Sequence, residues 1–89
     1  MSFSSHASDE FWELYHSLPL DIRRQADKQF TLFRHNPSHP SLRLKQVGQL
    51  WTARISRSYR AVAFREGASF YWFWIGSHDD YEILLKRVE

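Results

Sequence analysis

The sequence predicts an α+β domain, in which an N-terminal helical hairpin packs on a small antiparallel sheet of about three strands and a short C-terminal helix follows. Three observations predict this fold. Apolar residues recur at helical spacing up to about residue 35, they alternate with polar residues from residue 50, and helical spacing returns after Gly76. Because helices and strands are grouped and not interleaved, we expect the helices to cover one face of the sheet.

The first predicted helix begins at Ser8, which can cap it, and Asp9 and Glu10 suit the positive end of its dipole. Its apolar residues follow the spacing i, i+3, i+4, i+7 and form one stripe: Phe11, Leu14, Tyr15 and Leu18. This stripe predicts one face packed against the rest of the molecule.

Pro19 interrupts that stripe and suits the start of a second helix. The second helix carries its apolar residues on one face: Ile22, Ala26, Phe30 and Phe33. Asn36-Pro37 ends it, because the residue before a proline disfavours helical geometry. With so short a connection, the two helices are predicted to form an antiparallel hairpin.

Three strands are predicted after the loop at residues 38–41. Residues 50–56 alternate, with Trp51, Ala53 and Ile55 on one face and Arg54 on the other. A turn at 56–58 leads to a strand over 59–64, and Glu66-Gly67 predicts the next turn. Residues 70–75 are aromatic or β-branched almost throughout, which predicts a central strand that Gly76 ends.

The last predicted helix follows Ser77, which has capping-box spacing to Asp80. Its apolar stripe consists of Tyr81, Leu84, Leu85 and Val88.

The composition favours one globular domain over residues 1–89, since 43% of the residues are hydrophobic and 17% aromatic. The four tryptophans are expected mostly in the core. Without cysteine there are no disulfides and no cysteine-based zinc sites. His35 and His39 are separated by Pro37, which breaks the helix that would align them, so we expect no metal and no cofactor. Neither a membrane span nor a signal peptide is recognisable, which predicts a cytoplasmic protein.

The formal net charge is only +2, but its distribution is uneven. From residue 43 to 65 there are six basic residues and no acidic one: Arg43, Lys45, Arg54, Arg57, Arg60 and Arg65. Such a block can attract phosphate, and it can equally be a solvated sheet face.

Several local motifs, in this order, resemble the RelE/ParE toxin superfamily of type II toxin–antitoxin systems. The motifs cover nearly the whole chain: Leu18-Pro19, Asn36-Pro37, residues 39–42 (HPSL), Leu44-Lys45, residues 51–55 (WTARI), residues 58–61 (SYRA) and residues 74–81 (WIGSHDDY). Members commonly open with a β-strand, whereas only seven residues precede Ser8 here, so that strand is expected to be short or absent and one sheet edge exposed.

The resemblance implies two activities. RelE-like members cleave mRNA, usually on the ribosome, and ParE-like members poison DNA gyrase. A third alternative is an inactive relative that only binds its partner, which a missing first strand and the acidic Asp79-Asp80 would favour. The resemblance also implies a cognate antitoxin that binds across the helices or the open sheet face. The leading hypothesis is a metal-independent mRNA endonuclease.

Cleavage of RNA without a metal needs proton transfer at the 2′- and 5′-oxygens and cations that stabilise the phosphate. Arg54 on the open sheet face can hold a phosphate in a bidentate manner and matches the strand arginine of RelE-like enzymes, or it is an ordinary exposed sheet residue. His78 is the candidate acid–base group, since histidine has an ordinary pKa of about 6.5, or it is a helix-capping or hydrogen-bonded histidine. Lys45 matches a family lysine ahead of the first strand and can neutralise the phosphate, or it is a surface lysine.

Two further candidates have open alternatives. Arg60 matches the family's Tyr-Arg pair, but it shares a face with Val62 and can be a structural arginine tied to a carboxylate. Tyr81 can stack on a base or donate to phosphate, but it also lies on the apolar stripe of the last helix. Asp79 and Asp80 are predicted to stabilise the start of that helix.

Overall fold

The computed structural model describes residues 3–88 and shows three α-helices and five β-strands in this range. The elements in chain order are β1 (Ser4–Ala7), α1 (Asp9–His16), α2 (Leu20–His35), a 3₁₀ turn (Pro40–Leu42), β2 (Lys45–Val47), β3 (Leu50–Ser56), β4 (Tyr59–Glu66), β5 (Ser69–Ser77) and α3 (His78–Val88). Met1, Ser2, Glu89 and the side chain of Val88 lie outside the described part. The α+β class is confirmed.

The sheet is larger than predicted and is mixed. Its strand order is β1-β5-β4-β3-β2, with β1 parallel to β5 and the other pairs antiparallel. The prediction of about three antiparallel strands missed β1 and β2, which have four and three residues and are too short to show alternation. The N-terminal strand is short, as expected, and β1 occupies one edge of the sheet. Its presence removes one argument for an inactive relative.

The helical hairpin forms, but it is not N-terminal as predicted, because β1 precedes it in the chain. The Ser8 hydroxyl accepts a hydrogen bond from the Phe11 N–H at 3.2 Å, and Pro19 and Asn36 cap α2. Contacts at opposite ends show that α1 and α2 are antiparallel. The Tyr15 hydroxyl donates to Asp27 Oδ1 at 2.6 Å, and the rings of Phe11 and Phe30 meet edge to face.

The main core lies between the hairpin and one face of the sheet, which we call the hairpin face. The predicted stripes of α1 and α2 pack there against the inward residues of β3, β4 and β5. Phe33 contacts Phe70 and Trp72 edge to face, with ring centroids 5.0 and 5.4 Å apart. Trp12 is the exception among the tryptophans, with 45% of its surface exposed.

The third helix lies on the opposite face of the sheet, which we call the α3 face, and the prediction that all helices share one face is wrong. Tyr81 packs with Leu50 and Val62 in a second, smaller cluster. Phe73 and Trp74 both pack against this cluster, because a register shift between β4 and β5 forms a bulge there. The strand also passes Gly76, where a Cβ would meet the Trp74 ring at 2.7 Å.

Candidate functional site: a cation-lined cleft

A cleft of about 570 Å³ opens on the α3 face between the sheet and α3, and we call it the cationic cleft. It is lined by residues of β2, β3, β4, α3 and the segment before β2: Arg43, Lys45, Val47, Thr52, Arg54, Arg60, His78, Tyr81, Glu82 and Leu85. All five site residues predicted from the sequence are in this set. The fold therefore brings together residues that span positions 45 to 81.

Two arginines of neighbouring strands lie side by side in the cleft. Arg54 of β3 and Arg60 of β4 are direct cross-strand partners in the antiparallel ladder. Directly opposite residues in such a pair have Cβ atoms about 4.5–5.5 Å apart, and like charges there destabilise the sheet. A bound anion would relieve this repulsion, so the arrangement is typical of a site for phosphate or carboxylate.

The guanidinium of Arg60 is held by the main chain of the β3–β4 turn. Its Nη1 donates to the carbonyl oxygens of Ser56 at 2.6 Å and Tyr59 at 2.9 Å. The predicted alternative of a structural tie to a carboxylate is therefore not what the structure shows. Partial burial and then the charges of Arg54 and Arg43 lower the pKa of Arg60. Arg54 and Arg43 line the same cleft as Arg60, so this lowered pKa reflects the crowding of positive charge there.

The backbone under Arg54 is fixed from the hairpin face. Gln29 of α2 is buried, and its Nε2 donates to the carbonyl oxygen of Arg54 at 2.9 Å and to that of Ser41 at 3.3 Å. A buried amide that bonds two carbonyls holds β3 in place relative to the hairpin. The main chain that carries Arg54 is thereby coupled to the core.

Two more cations stand at the β2 side of the cleft. Lys45 is the partner of Thr52 in the β2–β3 ladder and so shares the α3 face. Arg43 caps the 3₁₀ turn with a φ of 45°, which is a left-handed conformation and uncommon for a residue other than glycine. Backbone of this kind costs free energy and is found disproportionately at functional sites.

The acid–base candidate has a carboxylate beside it. His78 begins α3. Its backbone N–H donates to the carbonyl oxygen of Ser58 at 2.7 Å, and this hydrogen bond ties α3 to the β3–β4 turn. One turn further along α3, Glu82 Oε1 lies 3.4 Å from His78 Nε2. Within residues 3–88 this is the only pairing of a carboxylate with a basic group at salt-bridge distance. Arg43, Lys45, Arg54 and Arg60 thus have no carboxylate partner in that range.

The sequence did not identify five lining residues as site residues, of which three are polar: Arg43, Thr52 and Glu82. Arg43 was visible as the first member of the basic block, and Glu82 as an acid four residues after His78, the spacing at which helix residues become neighbours. Tyr81, which was predicted for the site, is 4% exposed and packs in the small cluster, so its ring forms part of the cleft wall.

The basic block does not act as one surface. Arg65 points to the hairpin face, where its guanidinium lies 4.8 Å from the ring centroid of Trp51 and 5.0 Å from that of Phe70. Arg57 lies in the β3–β4 turn. The alternation of the strands thus separates a packing arginine from those that line the cleft.

No group of three or more metal-ligating side chains is found in the described range. In the same range no helix is long and apolar enough to cross a membrane. What the arrangement supplies chemically is positive charge, one imidazole and one carboxylate.

The chain is thus a small α+β domain with a helical hairpin on one face of the sheet and a cation-lined cleft on the other. Residues 20–83 match the family model described as the ParE-like toxin domain. The chain belongs to this family, and with it to the RelE/ParE toxin superfamily. No curated protein sequence matches the chain significantly.

Solved structures of toxins share the fold. The toxin–antitoxin complex RelBE2 of Mycobacterium tuberculosis matches with a TM-score of 0.70 and 13% identity, over 88% of this chain and 100% of that chain. A double arginine-to-alanine mutant of E. coli RelE in the free state matches with a TM-score of 0.66 and 16% identity, over 100% of both chains. The archaeal RelE–RelB complex of Pyrococcus horikoshii OT3 matches with a TM-score of 0.66 and 14% identity, over 86% of this chain and 96% of that chain.

Proposed function

We propose that this protein is the toxin of a type II toxin–antitoxin system and acts as a metal-independent mRNA endonuclease on the ribosome in the cytoplasm. The observation that carries the proposal is the cross-strand pair Arg54–Arg60, which stands in one cleft with Lys45 and His78. Cations that share a cleft with one imidazole suit a phosphodiester that must be held and protonated.

In the proposed reaction the 2′-oxygen attacks phosphorus and gives its proton to a water molecule of the solvent. The bond from phosphorus to the 5′-oxygen breaks, and His78 donates a proton to that oxygen. The products are a 2′,3′-cyclic phosphate and a 5′-hydroxyl. Arg54 and Arg60 stabilise the charge on the non-bridging oxygens, with Lys45 in support. Tyr81 shapes the wall beside His78, their ring centroids being 5.8 Å apart.

Glu82 is proposed to orient the imidazole. With Nε2 directed to the carboxylate, Nδ1 is the nitrogen left for proton transfer to the substrate. The side chains of His78 and Glu82 are 43% and 53% exposed, so the pair contributes little to stability and its value lies in ring orientation.

The test is induced expression in a bacterial host of the wild type, Arg54→Ala and His78→Ala, with growth recorded and the 5′ ends of cellular mRNA mapped. The wild type should arrest growth and produce new cuts in mRNA. Each substitution should lower the cutting rate by about 10²–10³-fold, the usual effect of removing one group that stabilises the transition state. Matched controls are Arg24→Ala and His16→Ala, both exposed on the hairpin, which should cut like the wild type.

A second candidate function is inhibition of DNA gyrase, which the match to the ParE-like toxin domain favours. Binding to a topoisomerase needs no acid–base group. In that case the wild type and His78→Ala would both arrest growth, and neither would produce mRNA cuts. Absence of arrest in every strain would contradict both functions and leave a relative that only binds a partner.

The proposal includes an antitoxin as the partner. Structural relatives from Mycobacterium tuberculosis and Pyrococcus horikoshii are described as toxin–antitoxin and RelE–RelB complexes. This chain exposes apolar side chains on both faces, including Trp12, Leu20, Phe64 and Ile83, which a wrapping segment can cover. Co-expression with the product of the neighbouring gene should abolish growth arrest and yield a complex that co-purifies.

A further inference from the structure

A row of side chains crosses the α3 face of the sheet from the cationic cleft to the opposite edge, and we call it the aromatic row. Each strand contributes one residue, and each residue is the direct ladder partner of the next: Val47, Leu50, Phe64, Tyr71 and His6. Since neighbouring strands lie about 4.8 Å apart, the row is about 19 Å long. Val47 lines the cationic cleft, so the row begins at the wall of the proposed phosphate site.

The outer part of the row consists of exposed aromatic rings in two stacks. Phe64 is 51% exposed and lies on Phe73, with ring centroids 4.6 Å apart and an interplanar angle of 22°. Tyr71 is 40% exposed and lies on His6, with ring centroids 5.0 Å apart and an angle of 16°. Because Phe64 and Tyr71 are ladder partners, the two stacks are adjacent. Contiguous exposed rings of this kind on a small domain mark an interaction surface.

The third helix covers the inner part of the row and leaves the outer part open. Leu50 packs with Tyr81 of α3 and is only 5% exposed, whereas its partner Phe64 is half exposed. Leu85 of α3 lines the cationic cleft together with Val47. The open rings therefore begin next to the place where α3 and the cleft meet.

The charges around the row restrict which ligand suits it. The cleft at one end of the row carries these titratable groups: Arg43, Lys45, Arg54, Arg60, His78, Tyr81 and Glu82. On the other side, the next pair in the ladder contains the exposed carboxylate of Glu66 opposite Ser69. Glu66 repels phosphate, so a nucleic-acid strand is expected to follow the row and not to continue past it along β4. Cations followed by open aromatic rings match a single strand, in which phosphates alternate with bases.

We propose that the aromatic row binds bases of a single-stranded RNA whose phosphate is held in the cationic cleft, with one base stacked on Phe64 and another on Tyr71. The choice of RNA rests on the proposed function, which it deepens by assigning where the substrate extends beyond the cleft. Every base has a π-face, so this contact provides affinity without reading the sequence.

The length of the site decides which ligand can test it. Four residues of β3 separate Arg54 from Leu50, which is about 14 Å at the usual rise of an antiparallel strand. A mononucleotide is too short to reach both the cleft and the rings. The probe is therefore a fluorescent single strand of about eight deoxyadenylates, a usual site size for such surfaces. It lacks the 2′-oxygen and so cannot be cut by the proposed reaction.

Fluorescence anisotropy measures the affinity of the whole protein for this strand. Phe64→Ala and Tyr71→Ala should each weaken binding by about fivefold or more, the usual effect of removing one stacking ring. Phe64→Leu should weaken it equally, because leucine is apolar but has no π-face. Phe64→Trp should keep the affinity within about twofold of the wild type. The matched control is Trp12→Ala, which removes a ring that is 45% exposed on α1 and should not change binding.

The salt dependence separates stacking from phosphate binding. Arg54→Ala should weaken binding and lower the slope of log affinity against log salt concentration by about 0.7, the value for one phosphate contact on a single strand. Phe64→Ala should weaken binding with an unchanged slope, since a neutral ring releases no counterion.

Affinity that is unchanged in Phe64→Ala and Tyr71→Ala, or that falls equally in Trp12→Ala, would overturn the proposal. Wild-type affinity for the strand combined with loss of a homodimer or of antitoxin binding in Phe64→Ala would also overturn it, because the row would then serve a protein partner. These outcomes are distinct from failure of the nuclease. Strand binding that depends on Phe64, without any mRNA cuts by the wild type, would keep the aromatic row and remove the nuclease, whereas mRNA cuts with strand binding that does not depend on Phe64 would do the reverse.

Discussion

The two faces of the sheet differ in what they bury and in what they leave unpaired. The hairpin face is covered by α1 and α2 and holds the large aromatic core around Phe33, Phe70 and Trp72. The α3 face is covered over a smaller area, by a cluster around Tyr81, and beside that cluster it presents cations without carboxylate partners in the described range. The hairpin face accounts for most of the hydrophobic stabilisation, and the α3 face bears the cations of the cleft.

This difference shows how a chain of 89 residues combines stability with a strained site. Opposing Arg54 to Arg60 costs free energy, and burial of aromatic side chains on the other face offsets it. Gln29 connects the two faces, because its buried side chain on the hairpin side donates a hydrogen bond to the carbonyl oxygen of Arg54. Substitutions on each face should therefore have separable effects, except at this contact.

The largest expected effect on stability is at the hairpin face. Phe33→Ala removes a ring that is 1% exposed and in contact with Phe70 and Trp72, and should lower the free energy of unfolding by about 3–5 kcal/mol. The matched control is Phe64→Ala on the α3 face, where the ring is 51% exposed and stacks on Phe73, with an expected loss of about 1 kcal/mol. Urea denaturation measures both. Equal losses would contradict the assignment of the main core.

The second effect is at the contact between the faces. Gln29→Leu leaves the carbonyl groups of Arg54 and Ser41 without their partner and should cost about 1–3 kcal/mol of stability. It should also slow mRNA cleavage, because the backbone under Arg54 is released. Gln25→Leu, exposed on the same helix, is the control and should change neither. Cleavage at the wild-type rate in a destabilised Gln29→Leu would show that the faces are independent.

A smaller effect is expected at the imidazole. Glu82→Gln removes the charged partner of His78 and should lower the cleavage rate by about twofold to fivefold, the scale of an exposed ion pair. The thermal midpoint should stay as in the wild type. Glu13→Gln on α1 is the matched control for loss of one negative charge. A rate loss shared by both variants would indicate a general charge effect in place of ring orientation.

The smallest expected effect is a change in how the free energy of unfolding falls at alkaline pH, and it arises at Tyr15 in the hairpin. The hydrogen bond to Asp27, followed by burial, raises the pKa of Tyr15 from its ordinary 10.0. A pKa that is higher in the folded state adds stability below pH 10, and this stability is lost as the pH rises through the folded value. As the pH rises from about 8 to about 11, the free energy of unfolding of Tyr15→Phe should therefore fall less than that of the wild type. A steeper decline in the variant would contradict this sign.

The long elements could be predicted from the sequence because their patterns are local. The caps at Ser8 and Pro19 and the bounds of β3 at residues 50–56 agree with the structure. The strands β1 and β2 could not be predicted, since three or four residues show no period and their pairing is decided by neighbours far along the chain. The β5 bulge and the side of the sheet on which α3 packs could not be predicted either, since a register shift leaves no mark in a hydrophobic pattern and the packing side is a tertiary property.

For the candidate site, too, some features could be predicted from the sequence and others depended on the tertiary structure. The sequence by itself determined the residue types, the faces of Arg54 and Arg60 within their strands, and the start of α3 at His78, because alternation and capping act over a few residues. Only the tertiary structure decided that Lys45, Arg54, Arg60 and His78 share one cleft, that Arg65 packs on aromatic rings, and that Glu82 meets His78. Those placements follow from strand order, the β5 bulge and the position of α3, which packing across the whole chain sets.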